Sequence, residues 1–224
     1  LNELTVKDAY PVHNVQDNLE QLRGSVLFST MDLLSGFWQI SLDEKSREKT
    51  AVSTPLGLFE HIVMPMGLCN APQTFTRTMD GILGDLTELF LKIYMDDILI
   101  HSKRSDCRVN ESITILHIRQ LKCTLGRLSK RGLSLKAKKT HLLLRKVNFL
   151  GHEVSDKGLS PIPDKVKAIR EATRPRTRKE LKSWLGMVGF YRNYIKDHAK
   201  LCYPFRALDK DNISNKQFND KWGR

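Results

Sequence analysis

Short apolar runs bounded by polar turns alternate along this chain with longer stretches whose apolar residues recur every three or four positions. Residues 26–32 predict a strand ending on Asp32, and residues 37–42 resume it after an exit at Leu33-Leu34-Ser35-Gly36. Residues 89–93 and 98–100 predict two more strands, with Tyr94-Met95-Asp96-Asp97 between them. A hairpin is expected from residues 50–54 and 59–63 around Pro55-Leu56-Gly57-Leu58. Another is expected from residues 142–144 and 147–150 around Arg145-Lys146, and residues 133–136 predict a short strand. Helical spacing begins with residues 19–23, closed by Gly24. It returns at Phe75, Met79, Ile82, Leu83 and Leu86, behind Asn70 as N-cap and Pro72 in the first turn. A helix over residues 111–131, closed by Gly132, presents Ile113, Leu116, Leu121, Leu125 and Leu128. Pro161 and Pro163 mark a boundary, followed by one helix after Asp164. A second opens at the capping box Thr177-Arg178-Lys179-Glu180 and carries Leu181, Trp184, Leu185 and Val188. Residues 211–224 are polar and are expected to be loosely ordered.

The 224 residues suffice for a buried core in one or two domains. No apolar run has the length of a membrane span and no secretory leader opens the chain, so an intracellular rather than a secreted location is expected. The chain begins at Leu1 inside ordinary domain sequence, which reads as a piece of a longer product. Cys69, Cys107, Cys123 and Cys202 lack paired spacing and read as reduced thiols. Charge changes the picture more. The overall net charge of +12 divides into −7 over residues 1–100 and +17 over residues 101–200. A basic half of this kind suits a polyanion such as nucleic acid, or is simply a solvated basic surface.

Asp96 and Asp97 fall at or near a hairpin turn. Adjacent acids there read either as a solvated turn or as ligands for a divalent cation, which takes hard carboxylate oxygens. Asp32 at a strand end is either a third ligand or a helix N-cap. Gly67, ahead of a helix, lets backbone approach a ligand closely.

Five segments in order carry a resemblance: residues 28–37 with Gln39-Ile40; Met64-Pro65-Met66-Gly67-Leu68-Cys69-Asn70-Ala71-Pro72 with Thr74-Phe75; Tyr94-Met95-Asp96-Asp97; Phe149-Leu150-Gly151-His152; and residues 181–195 with Leu185-Gly186 and Phe190-Tyr191-Arg192. On these the chain resembles the reverse transcriptase domain of gypsy-type LTR retrotransposon polyproteins. The resemblance implies an α+β fold: a right-hand palm, an antiparallel sheet packed by helices, with partial fingers and a helical thumb. Residues 1–155 would be partial fingers and palm, 156–210 a basic thumb, and 211–224 a linker towards an RNase H region.

It also implies RNA-directed DNA polymerase activity, in a cytoplasmic particle or the nucleus, that extends a primer on an RNA or DNA template from deoxynucleoside triphosphates. Asp32, Asp96 and Asp97 would hold two Mg²⁺ ions, with Mn²⁺ as a substitute, and Leu33 would turn its carbonyl towards a metal. Phe37 would be a steric gate against a ribose 2′ hydroxyl, or else core packing. Met66, Gly67 and Tyr94 would line the nucleotide site. Retroviral enzymes have Gln where Met66 stands. Lys139 would protonate the leaving pyrophosphate. Residues 147–155 correspond to the primer grip, and basic helices from about 164 to 200 would track the duplex backbone. The fingers residues that hold the triphosphate lie mostly upstream of Leu1, so weak activity is expected of residues 1–224 alone. The stretch 104–119 is longer than the family's usual link, and Thr140 stands where Cys is common. The alternative is an inactive remnant or nucleic-acid-binding module that keeps affinity without catalysis.

Overall fold

The structure, a computed structural model, describes residues 1–11 and 13–210. In chain order its helices and strands are α1 (Val15–Gln21), β1 (Ser25–Asp32), α2 (Glu44–Arg47), β2 (Val52–Thr54), β3 (Gly57–Phe59), α3 (Ala71–Thr87), β4 (Leu91–Tyr94) and β5 (Asp97–Lys103). There follow α4 (Ile113–Lys130), β6 (His141–Leu144), β7 (Lys146–Phe149), β8 (His152–Ser155), β9 (Gly158–Pro161), α5 (Pro163–Arg170), α6 (Arg178–Phe190) and α7 (His198–Lys210). The polar residues 211–224 lie outside the described residues.

β1 is the strand from which the main sheet is built. It pairs antiparallel with β5 on one side and β6 on the other, giving the order β4-β5-β1-β6. Side chains alternate across this sheet, so its two faces read directly from the sequence. Met31 on β1, with Ile98 and Ile100 on β5, joins Phe75, Met79 and Leu83 of α3 and Leu121 and Leu128 of α4 in one core. Phe28 and Leu99 point the other way and pack with Leu19 of α1, with Leu22 at its C-cap, and with Val147, Phe149 and Val154. Each such buried side chain contributes about 1.5–3 kcal/mol of transfer free energy.

Several expected elements differ. Residues 37–42 do not resume a strand: Gly36–Gln39 is a 3-10 turn, and only Ser41 bridges to Val63. The chain leaves the sheet earlier because residues 134–136 capture it. Lys136 N donates to Asp32 O at 2.8 Å and Leu34 N to Ser134 O at 2.9 Å. Residues 133–136 thus supply one bridge, Leu33 to Leu135, in place of a strand. The expected 142–150 hairpin does not form, because Arg145 alone separates β6 from β7 and one residue cannot close a hairpin. β6 pairs with β1 instead, and β7 with β8. The β2–β3 turn sits at Pro55-Leu56, since Thr54 pairs with Gly57. Residues 104–112 form a 3-10 turn and a loop, and Ser112 caps α4 through Ile115 N at 3.3 Å.

Asn70 stands at the N-cap of α3, but its side chain is spent elsewhere. It donates to Val6 O at 2.8 Å and accepts from Asp8 N at 3.1 Å, tying down the N-terminal segment. The capping box of α6 forms, with Thr177 Oγ1 accepting from Glu180 N at 3.2 Å. The Glu180 carboxylate accepts from Arg176 N at 2.7 Å and also from the Thr177 backbone, as the motif implies.

Two compact units result among the described residues: Leu1–Leu150 with Val154–Leu159, and Gly151–Glu153 with residues 160–210. In the second unit, Leu181 and Val188 of α6 are buried and Trp184 meets Phe205 edge-on at 5.9 Å. His152 stacks on Phe190 at 5.1 Å, and its Nδ1 lies 3.0 Å from the Tyr194 hydroxyl. Gly151 adopts φ 77°, and a Cβ there would lie 2.8 Å from Phe190 Cζ, so both conformation and space call for glycine.

Candidate active site

The β1–β5 ladder runs out at two acids. Asp32 and Asp97 are its last cross-strand pair. Period-two alternation puts Asp32 on the face of Phe28 and Asp97 on the face of Leu99, which is the same face of the sheet. Tyr94 pairs with Asp97 to close the β4–β5 hairpin, leaving Met95 and Asp96 as its turn. Met95 takes a left-handed φ of 54°, a conformation costly for a residue with a Cβ. Leu33 N donates to Asp96 O at 3.2 Å, so the exit of β1 is bonded to this turn.

A pocket of about 230 Å³ opens on this face, lined by Asp32, Asp97, Lys139, His141, Asn148 and Phe149 among others. Asp32 is buried, and Lys139 Nζ donates to its Oδ2 at 2.6 Å. That bond, with the charges of the three acids, raises the Lys139 ammonium above its usual range. Asp97 is raised above the ordinary carboxyl value, first by desolvation and then by the charges of Asp96 and Asp32, with Lys139 opposing. Negative charge is therefore concentrated here beyond what one lysine neutralises.

This donor set fits a hard divalent cation, which prefers carboxylate oxygens. Asp32 and Asp97 share the pocket and Asp96 lies next to them in the turn. Among the described residues, no three His, Cys, Asp or Glu side chains are already gathered as a metal cluster. Lys139 is the cation held at Asp32.

The loop after β1 is shaped by packing. Gly36 is buried under Phe75, and a Cβ there would lie 2.9 Å from Phe75 Cζ and 3.4 Å from Asp96 Cβ. Phe37 is half-buried and meets Phe75 edge-on at 5.3 Å. Gln39 staples the loop: its Nε2 donates to Leu34 O at 2.6 Å and Ser134 O at 3.0 Å, and its Oε1 accepts from Ser134 N at 2.6 Å. Leu33 is buried. Met66 and Gly67 line a different pocket, of about 570 Å³, with Lys49, Thr50 and His61. Asn2 clamps that loop through Gly67 O at 2.8 Å and Cys69 N at 3.0 Å.

Sequence reasoning missed His141 in the carboxylate pocket and the Gln39 staple, whereas Asn148 and Phe149 of that pocket fall within residues 147–155, where the resemblance implies a primer grip.

The chain belongs to the reverse transcriptase (RNA-dependent DNA polymerase) family, whose description matches residues 1–154. It is 40% identical over 210 residues to the retrovirus-related Pol polyprotein from transposon 297 of Drosophila melanogaster, covering 94% of this chain and 19% of that protein. With the corresponding polyprotein from transposon opus, also of Drosophila melanogaster, it is 38% identical over 96% of this chain and 20% of the relative. The chain thus spans about a fifth of the length of these relatives. Among solved structures it is similar to the foamy viral protease-reverse transcriptase in complex with double-stranded DNA, with TM-score 0.82 and 26% identity over 92% of this chain and 35% of that one. The same protein with an RNA/DNA hybrid gives TM-score 0.81 and 25% identity over 95% and 28%. The α+β reverse transcriptase fold and the kinship with retrotransposon Pol polyproteins are as the motifs imply. Among the described residues, no helix is long and apolar enough to cross a membrane.

Proposed function

We propose that this chain is the polymerase segment of a retrotransposon polyprotein, an RNA-directed DNA polymerase that extends a primer on an RNA or DNA template. The observation that carries the reading is the pairing of Asp32 with Asp97 at the end of the β1–β5 ladder, beside Asp96 in the hairpin turn. Residues 1–155 serve as palm and partial fingers, residues 156–210 as a thumb, and 211–224, outside the described residues, as a linker.

Asp32, Asp96 and Asp97 would hold two Mg²⁺ ions, or Mn²⁺, with the Leu33 carbonyl directed at one of them. When bound, the ions supply a more acidic primer hydroxyl and charge neutralisation at the triphosphate. The remaining chemistry belongs to the protein. Lys139, its proton held by the bond to Asp32 Oδ2, gives that proton from Nζ to the leaving pyrophosphate oxygen. Phe37, steadied by Phe75, limits the room at the ribose 2′ position. Met66 offers apolar surface and Gly67 bare backbone to the nucleotide, and Tyr94 backs the site from the hairpin. The net charge of +17 over residues 101–200 supports a sequence-independent grip on the phosphate backbone of a template–primer.

The test is extension of a DNA primer on an RNA template with Mg²⁺ or Mn²⁺, by this chain and by a longer polyprotein segment containing it. Wild-type extension abolished by Asp96→Asn supports the reading, and equal extension by both proteins overturns it. A second reading, nucleic-acid binding without catalysis, is favoured by the Lys139–Asp32 ion pair, which occupies a carboxylate oxygen a metal would need. Salt-sensitive binding without extension in either form would select it.

A further inference from the structure

Behind the carboxylate pocket, on the opposite face of the sheet, lies a chain of buried polar groups that the proposed chemistry does not use. Ser29 Oγ lies 2.7 Å from His117 Nε2, and Ser102 Oγ lies 2.6 Å from His117 Nδ1. Ser102 Oγ also donates to Gln120 Oε1. Ser29, Ser102, His117 and Gln120 are all buried. At the far end, Leu143 N of β6 donates to Ser29 Oγ at 3.0 Å.

Ser102 spends its one hydrogen on Gln120 Oε1 and can only accept from His117 Nδ1, and this fixes the direction of the whole chain. Ser29 accepts from Leu143 and passes its own hydrogen to His117 Nε2. His117 donates from Nδ1 to Ser102, which donates to Gln120. The other tautomer would aim two donors at Ser29 and leave the serine hydrogen without an acceptor in this network. Burial agrees, because it pushes His117 down to about 4 and keeps the ring neutral.

The end of the chain is where β6 departs from regular pairing. Phe28 pairs with Leu144 and Thr30 with His141, so two steps along β1 face three along β6. Leu143 absorbs the extra residue at φ 57°. Its N–H finds the Ser29 hydroxyl where a regular ladder would offer a carbonyl. β6 starts two residues after Lys139. Removing the bulge would slide the strand by one residue, about 3.3 Å. Lys139 sits between two anchors, Lys136 N on Asp32 O and the first β6 pair at His141, so a shift of the second by more than a hydrogen bond tolerates pulls Lys139 away from Asp32.

We infer that His117, as the neutral Nδ1–H tautomer, is a positioning residue that acts through Ser29 to hold the β6 bulge and so seats Lys139 against Asp32. The functional meaning of that seat rests on the polymerase reading above, but the test does not need activity. Long-range ¹H–¹⁵N spectra of the wild-type ring report the tautomer. Acylation of Lys139, read by mass spectrometry against its neighbour Lys138 in the same molecules, reports the seat.

The expected result is a protonated Nδ1 and a bare Nε2 in the wild type. In folded Ser29→Ala and His117→Phe proteins, Lys139 acylation should rise roughly two- to fivefold relative to Lys138, as for release of an exposed ion pair. His117→Gln, whose amide keeps a donor and an acceptor, should stay close to wild type. An Nε2–H ring, a charged ring, or unchanged Lys139 acylation in the folded variants overturns the inference, as does an equal rise at both lysines. Should the Ala and Phe variants fail to fold, the wild-type tautomer and the Gln variant decide. Loss of primer extension with Lys139 seating intact would count against the polymerase reading alone.

Discussion

Asp32 and Asp97 face each other across the last rung of the β1–β5 ladder, two like charges at a position where opposite charges stabilise a sheet. Lys139 offsets part of the repulsion from 2.6 Å. At Asp97, desolvation first and then the charges of Asp96 and Asp32 push the carboxyl above its ordinary value of 3.8. The folded state thus binds the Asp97 proton more tightly than the unfolded state, and ionising Asp97 costs stability. The cost is absent below pH 3.8 and grows as pH rises through the raised value. Asp97→Asn should therefore raise the Tm at neutral pH in chelator, with the difference vanishing as the pH falls below that window. A thermal melt series over pH checks both the sign and the window.

Gly36 is where packing and the carboxylate turn meet. Its missing side chain leaves room for Phe75, which in turn steadies Phe37. Gly36→Ala should destabilise the fold by about 1–3 kcal/mol, the usual cost of overpacking. Phe75→Leu in the same protein should recover part of that loss. Urea denaturation of the single and double variants measures both.

Three buried histidines, His101, His117 and His152, are depressed by burial and make the fold acid-sensitive. Burial depresses His101 to about 3 and His117 to about 4, from 6.5. Below pH 6.5 the unfolded chain takes up protons that the folded chain refuses, so stability falls as the pH falls from 6.5 towards those values. The slope should approach about 1.4 kcal/mol per pH unit for each histidine. Denaturant titrations between neutral pH and pH 4.5 should show this slope, and His101→Gln should lower it by one histidine's share.

Much of this arrangement could be read in advance because it rests on local pattern. The strand ending on Asp32, the turn holding Asp96 and the apolar face of α3 follow from alternation and helical spacing. What escaped depends on contacts far apart in the chain. Residues 37–42 carry strand-like composition, yet residues 134–136, about a hundred positions later, pull the backbone off the sheet. Residues 142–150 look like a hairpin by composition, yet β6 finds the open edge of β1 instead. Asn70 is a good cap in isolation, and its amide is consumed by Val6 and Asp8. Lys139 was one of several lysines and arginines in a basic stretch, and it reaches Asp32 because residues 134–136 bond to the end of β1 and β6 then pairs with β1.

The most direct test of the carboxylate site is Mn²⁺ binding followed by electron paramagnetic resonance in four forms of the protein: wild type, Asp32→Asn, Asp97→Asn and Lys139→Ala. Weakened binding is expected in both Asn variants. Lys139→Ala should bind Mn²⁺ more tightly than wild type, because the ammonium competes for Asp32 Oδ2. Binding that is unchanged by Asp32→Asn and Asp97→Asn would contradict the account.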